Sequence, residues 1–266
     1  MIAQAGAIAP LVTLLKSGTD GQKEKAAAAL QSLAVNGENQ VLIAQAGAIA
    51  PLVTLEQSGT GRQKEHAAGA LRNLAYNNAE NQVWIEQAGA IADLAQAGAI
   101  AQLVTLVQCG TDGQKENAAG ALRSLAAKND VNQGLIAQAG AIAPLVTLVQ
   151  SGTDGQKEYA AGALFFLAAK NAENQVLIAQ AGALAPLVTL VQSGTDGQKE
   201  IAAGALFFLA DIAENQVLIA QAGAIAPLVT LLKSGTDGQK EKAAAALQSL
   251  AFKNAENQGL IAQAGG

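Results

Sequence analysis

Four of the chain's five phenylalanines stand as two pairs, Phe165–Phe166 and Phe207–Phe208, 42 residues apart. At the same two places in other segments stand Arg72–Asn73 and Arg123–Ser124, and six residues ahead of each pair the side chain also varies, as His66, Asn117, Tyr159 and Ile201. A phenyl ring contributes roughly 1.5–3 kcal/mol when buried, and guanidinium groups suit carboxylates. The chemistry on offer is therefore adhesion, an apolar anchor with basic residues at matching places.

Catalysis has much less to draw on. His66 and Cys109 are single in the chain, so no disulfide is available and no zinc or haem site with several ligands can be assembled. No serine or acid is set apart as a partner for His66. The phrase "SGTDGQKE" has the glycines and lysine of a phosphate loop but not the G-x-x-x-x-G-K-[ST] order, and it follows a helical pattern, not a strand. It recurs at 17–24, 151–158, 193–200 and 234–241, which points to helix capping. No enzyme activity, cofactor or metal is expected.

Composition narrows the partners. A net charge of −5 and an isoelectric point near 4.9 argue against nucleic acid. No apolar run approaches the roughly 18 residues of a membrane span. The opening "MIAQAGAIAPLVTLLK" lacks a basic leader region, and its core "AQAGAIAPLVTL" returns at 44–55, 137–148 and 220–231, so it is read as a building block, not a signal. With one cysteine, a cytoplasmic or nucleocytoplasmic, non-secreted protein is expected. Half the residues are apolar but only 3% aromatic, with 28 glycines, so the core must use small side chains that let helices approach closely.

The elements that position these residues repeat. The glycines of "AG-A-[IL]-A" fall at 6, 47, 98, 140, 182 and 223, and that of the last "AQAG" at 265, spaced by 41, 51, 42, 42, 41 and 42, the mark of a solenoid. The unit 171–211 reads as three helices. "NAENQVLIAQAG" ends on Gly182, suited to a left-handed C′ residue. "ALAPLVTLVQSG" has Leu184, Leu187, Val188, Leu190 and Val191 at helical spacing with Pro186 in its first turn. "TDGQKEIAAGALFFLAD" opens with Thr195 and Gln198 at capping-box spacing. Breaks fall near 38, 80, 131, 173, 214 and 256 within one domain, 1–266.

The interval of 51 holds a stutter, "AGAIADLAQAGAIAQLV" at 88–104, with an insertion near 89–97. Only the second copy continues into "LVTL", so it is the true second helix. Nine residues at about 100° each place Ile91 and Leu94 opposite Ile100 and Leu103 in an unbroken helix. Either a short helix packs on its own unit, or Ile91 and Leu94 form a self-association ridge; a neutral duplication is the plain alternative.

"GAIAPLVTLL" in the second helix and "AAGALRNLA" (67–75) in the third carry a resemblance to the armadillo repeat family, and with the period it covers essentially the whole chain. The resemblance implies an all-α, right-handed α-solenoid of about six three-helix repeats, whose third helices line a concave groove for extended peptides. Many peptide-binding armadillo units carry Trp where this chain has Ala28, Gly69, Gly120, Gly162, Gly204 and Ala245. They also carry a backbone-holding Asn at a place kept here only by Asn73. The ladder of nuclear-import receptors is thus mostly missing, and a basic nuclear-localisation peptide is not expected. The chain is more similar to β-catenin-like arrays, which take acidic, partly apolar extended partners.

Comparison among units puts the variation on one face of the third helix. Lys25, His66, Asn117, Tyr159, Ile201 and Lys242 occupy one position; Ser32, Asn73, Ser124, Phe166, Phe208 and Ser249 lie two turns on; Gln31, Arg72, Arg123, Phe165, Phe207 and Gln248 stand beside them. Candidate binding residues are Tyr159, Phe165, Phe166, Ile201, Phe207 and Phe208 as the apolar centre, with Arg72, Asn73, Arg123, His66 and Asn117 as the polar flank. Phe165 and Phe207 fit packing between units as well as they fit a ligand, and the arginines fit a solvated surface. Tyr76, Trp84 and Phe252 are read as packing residues. Residues 6–34 and 223–251 are identical over 29 positions, which suggests duplication or an engineered, consensus-like array. The function expected is a non-catalytic scaffold for an extended peptide or protein segment; the alternative is a self-associating module forming a homodimer or head-to-tail contacts.

Overall fold

Each unit's sequence pattern becomes a helical triplet. The computed structural model describes residues 6–92 and 99–265, the side chains of 89–92 excepted. In chain order the helices are α1 (Ile8–Ser17) and α2 (Asp20–Leu33); α3 (Gly37–Gln45), α4 (Ile49–Ser58) and α5 (Gly61–Ala75); and α6 (Ala79–Ala92), α7 (Ala99–Cys109) and α8 (Asp112–Ala126). There follow α9 (Asp130–Gln138), α10 (Ile142–Ser151) and α11 (Asp154–Ala168); α12 (Ala172–Gln180), α13 (Leu184–Ser193) and α14 (Asp196–Leu209); α15 (Ala213–Gln221), α16 (Ile225–Ser234) and α17 (Asp237–Ala251); and α18 (Ala255–Gly265). Among the described residues all regular structure is helical, an armadillo-type α-solenoid. The chain divides into two units, Met1–Ala139 and Gly140–Gly266.

Local chemistry sets the corners. First helices end at glycines in the left-handed region, φ +75° at Gly47, +81° at Gly182 and +81° at Gly223, where a side chain would be strained. The next N–H then reaches back five residues, Ala48 to Ile43 O at 3.2 Å and Ala183 to Ile178 O at 3.3 Å, which satisfies a helix-end carbonyl. The second helix leaves at 85° for α3 and α4, 83° for α12 and α13 and 82° for α15 and α16. Every third helix starts with a two-way capping box, Thr19 with Gln22, Thr60 with Gln63, Thr111 with Gln114, Thr153 with Gln156, Thr195 with Gln198 and Thr236 with Gln239.

Third helices pack side by side, α2 on α5 and α5 on α8 in one unit, α11 on α14 and α14 on α17 in the other. Their small residues make that approach close: Ala67, Ala68, Ala70, Ala118, Ala119 and Ala121, and Ala160, Ala161, Ala163, Ala202, Ala203 and Ala205, are fully buried. Leucines and isoleucines such as Leu52, Leu74, Leu103 and Ile136, and Leu145, Leu164, Leu206 and Ile219, complete the two cores.

Two hydrogen-bond ladders tie repeat to repeat. The capping-box Gln also donates to the preceding third helix, Gln63 Nε2 to Asp20 O at 2.8 Å, Gln114 to Gly61 O at 3.1 Å, Gln198 to Asp154 O at 2.9 Å and Gln239 to Asp196 O at 3.1 Å. At the other end the buried Asn-Gln pair of the first helix caps third-helix carbonyls. Asn81 donates to Leu74 O of the preceding repeat at 2.9 Å, while Gln82 donates both to Ala75 O of the preceding repeat (3.1 Å) and to Ser124 O of its own (2.8 Å). Asn215 donates to Leu209 O, and Gln216 to Ala210 O and Ser249 O. These groups are buried and paired, as buried polar groups must be.

The stutter lengthens a helix. α6 runs 14 residues through Gly89 where α3 has 9, and α7 carries the second copy of the phrase. Leu94 and the Ile91 side chain lie outside the described residues. Tyr76 and Phe252 correct the packing expectation: they are 58% and 63% exposed. Each is a C-cap followed by a residue of positive φ, 54° at Asn77 and 53° at Lys253, so the ring stands off the helix end. Trp84 is half-buried.

Candidate functional site

Because third helices lie side by side within a unit, positions about 42 apart in sequence become neighbours in space. In Gly140–Gly266, α11 supplies Tyr159, Phe165 and Phe166 and α14 supplies Ile201, Phe207 and Phe208; all six are half-buried. The phenyl rings form one continuous chain. Phe166 meets Phe165 edge-on at 4.9 Å between centroids, Phe165 meets Phe208 at 5.2 Å, and Phe208 meets Phe207 at 4.8 Å. Each tilted pair adds about 0.5–1.5 kcal/mol beyond area burial, and the Phe165–Phe208 pair joins one repeat to the next.

Phe165 reaches furthest across. Its ring lies over Gly204, where an added Cβ would stand 2.8 Å from a ring carbon. Phe165 thus packs between repeats, one of the two readings open for it, and remains half-buried.

In Met1–Ala139 the same positions are polar. Gln31 lies across Gly69 of α5 as Phe165 does across Gly204. His66 Nδ1 is 3.0 Å from Gln31 Oε1, and Asn73 Nδ2 donates to Gln31 O at 2.9 Å. Arg72 Nε donates to Asn73 Oδ1 at 3.3 Å, and Asn117 Nδ2 to Glu65 O at 3.4 Å. The Asn73 amide, to which the family resemblance assigns a grip on a peptide backbone, here binds the preceding repeat. His66, Arg72, Asn73, Asn117 and Arg123 are all half-buried.

Third-helix glutamates cross to the next repeat as well. Glu65 lies against Gly113 at the N-terminal turn of α8, and Glu158 against Gly197 at that of α14, 2.7 and 3.3 Å from where a Cβ would stand. A carboxylate there complements the helix dipole, and the glycine leaves room for it. This explains the Gly of "TDGQKE", which capping does not require; its recurrence beside an invariant Glu was the available signal.

Glu56 stands where other second helices carry Leu15, Val107, Val149, Val191 or Leu232. It is fully buried, and neither carboxylate oxygen has a hydrogen-bond partner among the described residues. Burial pushes its pKa up to about 8, against a smaller opposing pull from Lys64. Burial also raises that of Glu86, which replaces the Ala of other first helices.

Among the described residues, no group of three or more His, Cys, Asp or Glu is placed to hold a metal ion, and no single helix is long and apolar enough to cross a membrane.

The armadillo/β-catenin-like repeat profile matches residues 1–35, 38–76, 88–127 and 213–252. No curated protein matches the sequence significantly. Among solved structures, a designed armadillo repeat protein shares 28% identity and a TM-score of 0.82, over 91% of this chain and 99% of that one. A computationally designed armadillo protein for modular peptide recognition gives 27% and 0.79, again over 91% and 99%. A designed armadillo protein in complex with the peptide (KR)4 gives 26% and 0.79 over the same shares. All three are engineered, in line with the expectation raised by the near-identical units. With four profile matches spanning more than half its length, this chain belongs to the armadillo/β-catenin-like repeat family.

Proposed function

We propose that the chain is a non-catalytic scaffold that binds an extended peptide or protein segment along its third helices, with the α11–α14 aromatic cluster as the apolar anchor. The observation that carries this reading is the continuous chain of four half-buried phenyl rings spanning two repeats. Apolar residues of a bound segment would cover the open sides of Phe166 and Phe208. In Met1–Ala139, Arg72 and Arg123 bring positive charge to the positions that Phe165 and Phe207 hold in Gly140–Gly266, which suits acidic side chains on the partner. Peptide recognition by designed armadillo proteins of similar structure supports the class of ligand.

The test is selection from a random peptide display library against the intact protein, with recovered peptides re-measured on Phe166→Ser/Phe208→Ser and on Arg72→Ala/Arg123→Ala. The reading expects aliphatic or aromatic residues in the peptides and at least a tenfold loss with the serine pair, and acidic residues in the peptides whose binding weakens on the alanine pair. Peptides that bind both variants as tightly as the parent overturn it.

A further inference from the structure

A groove between the second helices of consecutive repeats recurs in both units with matching walls. In Met1–Ala139 it runs between α1 and α4 and holds about 440 Å³; in Gly140–Gly266 it runs between α10 and α13 and holds about 430 Å³. The α10–α13 groove lies between two complete helical triplets, so the feature comes with stacked second helices. Ala50 and Pro51 line the first groove and Ala185 and Pro186 the second, and each has a hydroxyl pair, Thr54 with Ser58 and Thr189 with Ser193.

Those hydroxyls donate along their own helices. Thr54 Oγ1 donates to Ala50 O at 3.0 Å and Ser58 Oγ to Thr54 O at 2.8 Å; Thr189 donates to Ala185 O at 3.1 Å and Ser193 to Thr189 O at 3.0 Å. With the proton so placed, the oxygen lone pairs are left to accept N–H groups from a ligand.

What differs between the grooves is charge. Lys16, exposed, stands in the first where Gln150 stands in the second, and half-buried Lys23 and Lys157 are equivalent. In the second groove Asp154 also lines the wall and offsets Lys157. Its equivalent Asp20 does not line the first groove; Asp20 Oδ1 accepts from Gln63 Nε2 at 3.4 Å. Neither Lys16 nor Lys23 forms an ion pair among the described residues. The first groove thus presents two ammonium groups and no acid among its lining residues, the second one ammonium and one carboxylate.

We infer that the α1–α4 groove docks an acidic, extended segment of a partner protein. Its carboxylates reach Lys16 and Lys23, its backbone N–H groups meet the Thr54 and Ser58 oxygens, and its small apolar side chains lie on Ala50 and Pro51. Charge complementarity selects this occupant: a basic segment would set its charge against two ammonium groups, and an apolar one would leave both unmatched. The site is built on α1, α2 and α4 and the aromatic cluster on α11 and α14, so it stands or falls separately from the proposed function.

Fluorescence anisotropy of a labelled octapeptide of alternating glutamate and alanine, titrated with the intact protein at low salt, tests this. Arg72→Ala/Arg123→Ala protein serves as the background, so that third-helix guanidinium groups do not contribute. One peptide should bind saturably. Lys16→Gln, which copies Gln150, and Lys23→Gln should each weaken binding about three- to fivefold, and together about tenfold, the range of exposed charge pairs. Gln150→Lys with Asp154→Asn gives the α10–α13 groove the charge of the first and should raise the stoichiometry from one peptide to two. Each variant is checked for unchanged helicity and melting. Absence of saturable binding, equal binding of the glutamine-alanine octapeptide, affinity untouched by the paired lysine changes, or a stoichiometry that stays at one overturns the inference.

Discussion

The Phe165 ring of α11 lies across Gly204 of α14, so close that a Cβ at 204 would stand 2.8 Å from it. The side chain that furnishes the binding face of one repeat is thus seated on the backbone of the next. In the other unit Gln31 holds the same relation to Gly69, so the arrangement belongs to the repeat and the residue placed there sets its chemistry.

Gly204→Ala follows from that contact. Alanine gains about 1 kcal/mol over glycine inside a helix, but displacing a packed ring costs about 1–3 kcal/mol, so a net loss of about 1 kcal/mol is expected in chemical denaturation. In a Phe165→Ala background the same change should stabilise. Gly21→Ala, where nothing lies within 4 Å of the added Cβ, should gain up to about 1 kcal/mol in either background.

Glu56 should make stability depend on pH. Its folded pKa of about 8 lies above 4.5, so the folded chain holds a proton that the unfolded chain releases, and stability falls as pH rises from about 4.5 through 8. At about 1.4 kcal/mol per unit the span amounts to several kcal/mol. Glu56→Val, restoring what other units carry, should raise the denaturation midpoint at pH 8 and flatten this slope. An unchanged slope would show that Glu56 is not the titrating group.

The ladder glutamines should differ according to burial. Gln216→Ala removes the donor to Ala210 O and Ser249 O in a buried place and is expected to cost about 2–3 kcal/mol. Gln258→Ala removes an exposed bond to Ala251 O and should cost under about 0.5 kcal/mol. Thermal melts of the two variants compare them directly.

Deleting residues 89–97 joins Ala88 to Gly98 and restores the phrase "QAGAIA" with its ordinary spacing. Gly98 then takes the place that Gly47 and Gly182 occupy at left-handed φ. Melting temperature and mass should match the parent. Self-association of the parent that is lost on deletion would assign that contact to Ile91 and Leu94.

The sequence alone determined the repeat, the order of three helices per unit, the Thr–Gln capping boxes, the left-handed glycines and the inward Ala and Leu faces. Each of these rests on side chains and backbone groups a few residues apart, so the pattern within one unit contains its own explanation. The tertiary structure decided the rest: that Phe165 and Gln31 cross to the next repeat's glycine, that the Asn73 amide binds Gln31 O, that Asn81, Gln82 and Gln216 are buried ties between repeats, that Glu56 is entombed and that Tyr76 and Phe252 are exposed. Most of these facts hang on the offset between stacked helices about forty residues apart in sequence, and Tyr76 and Phe252 on the direction in which the chain leaves a helix end; neither appears in the spacing of a single unit.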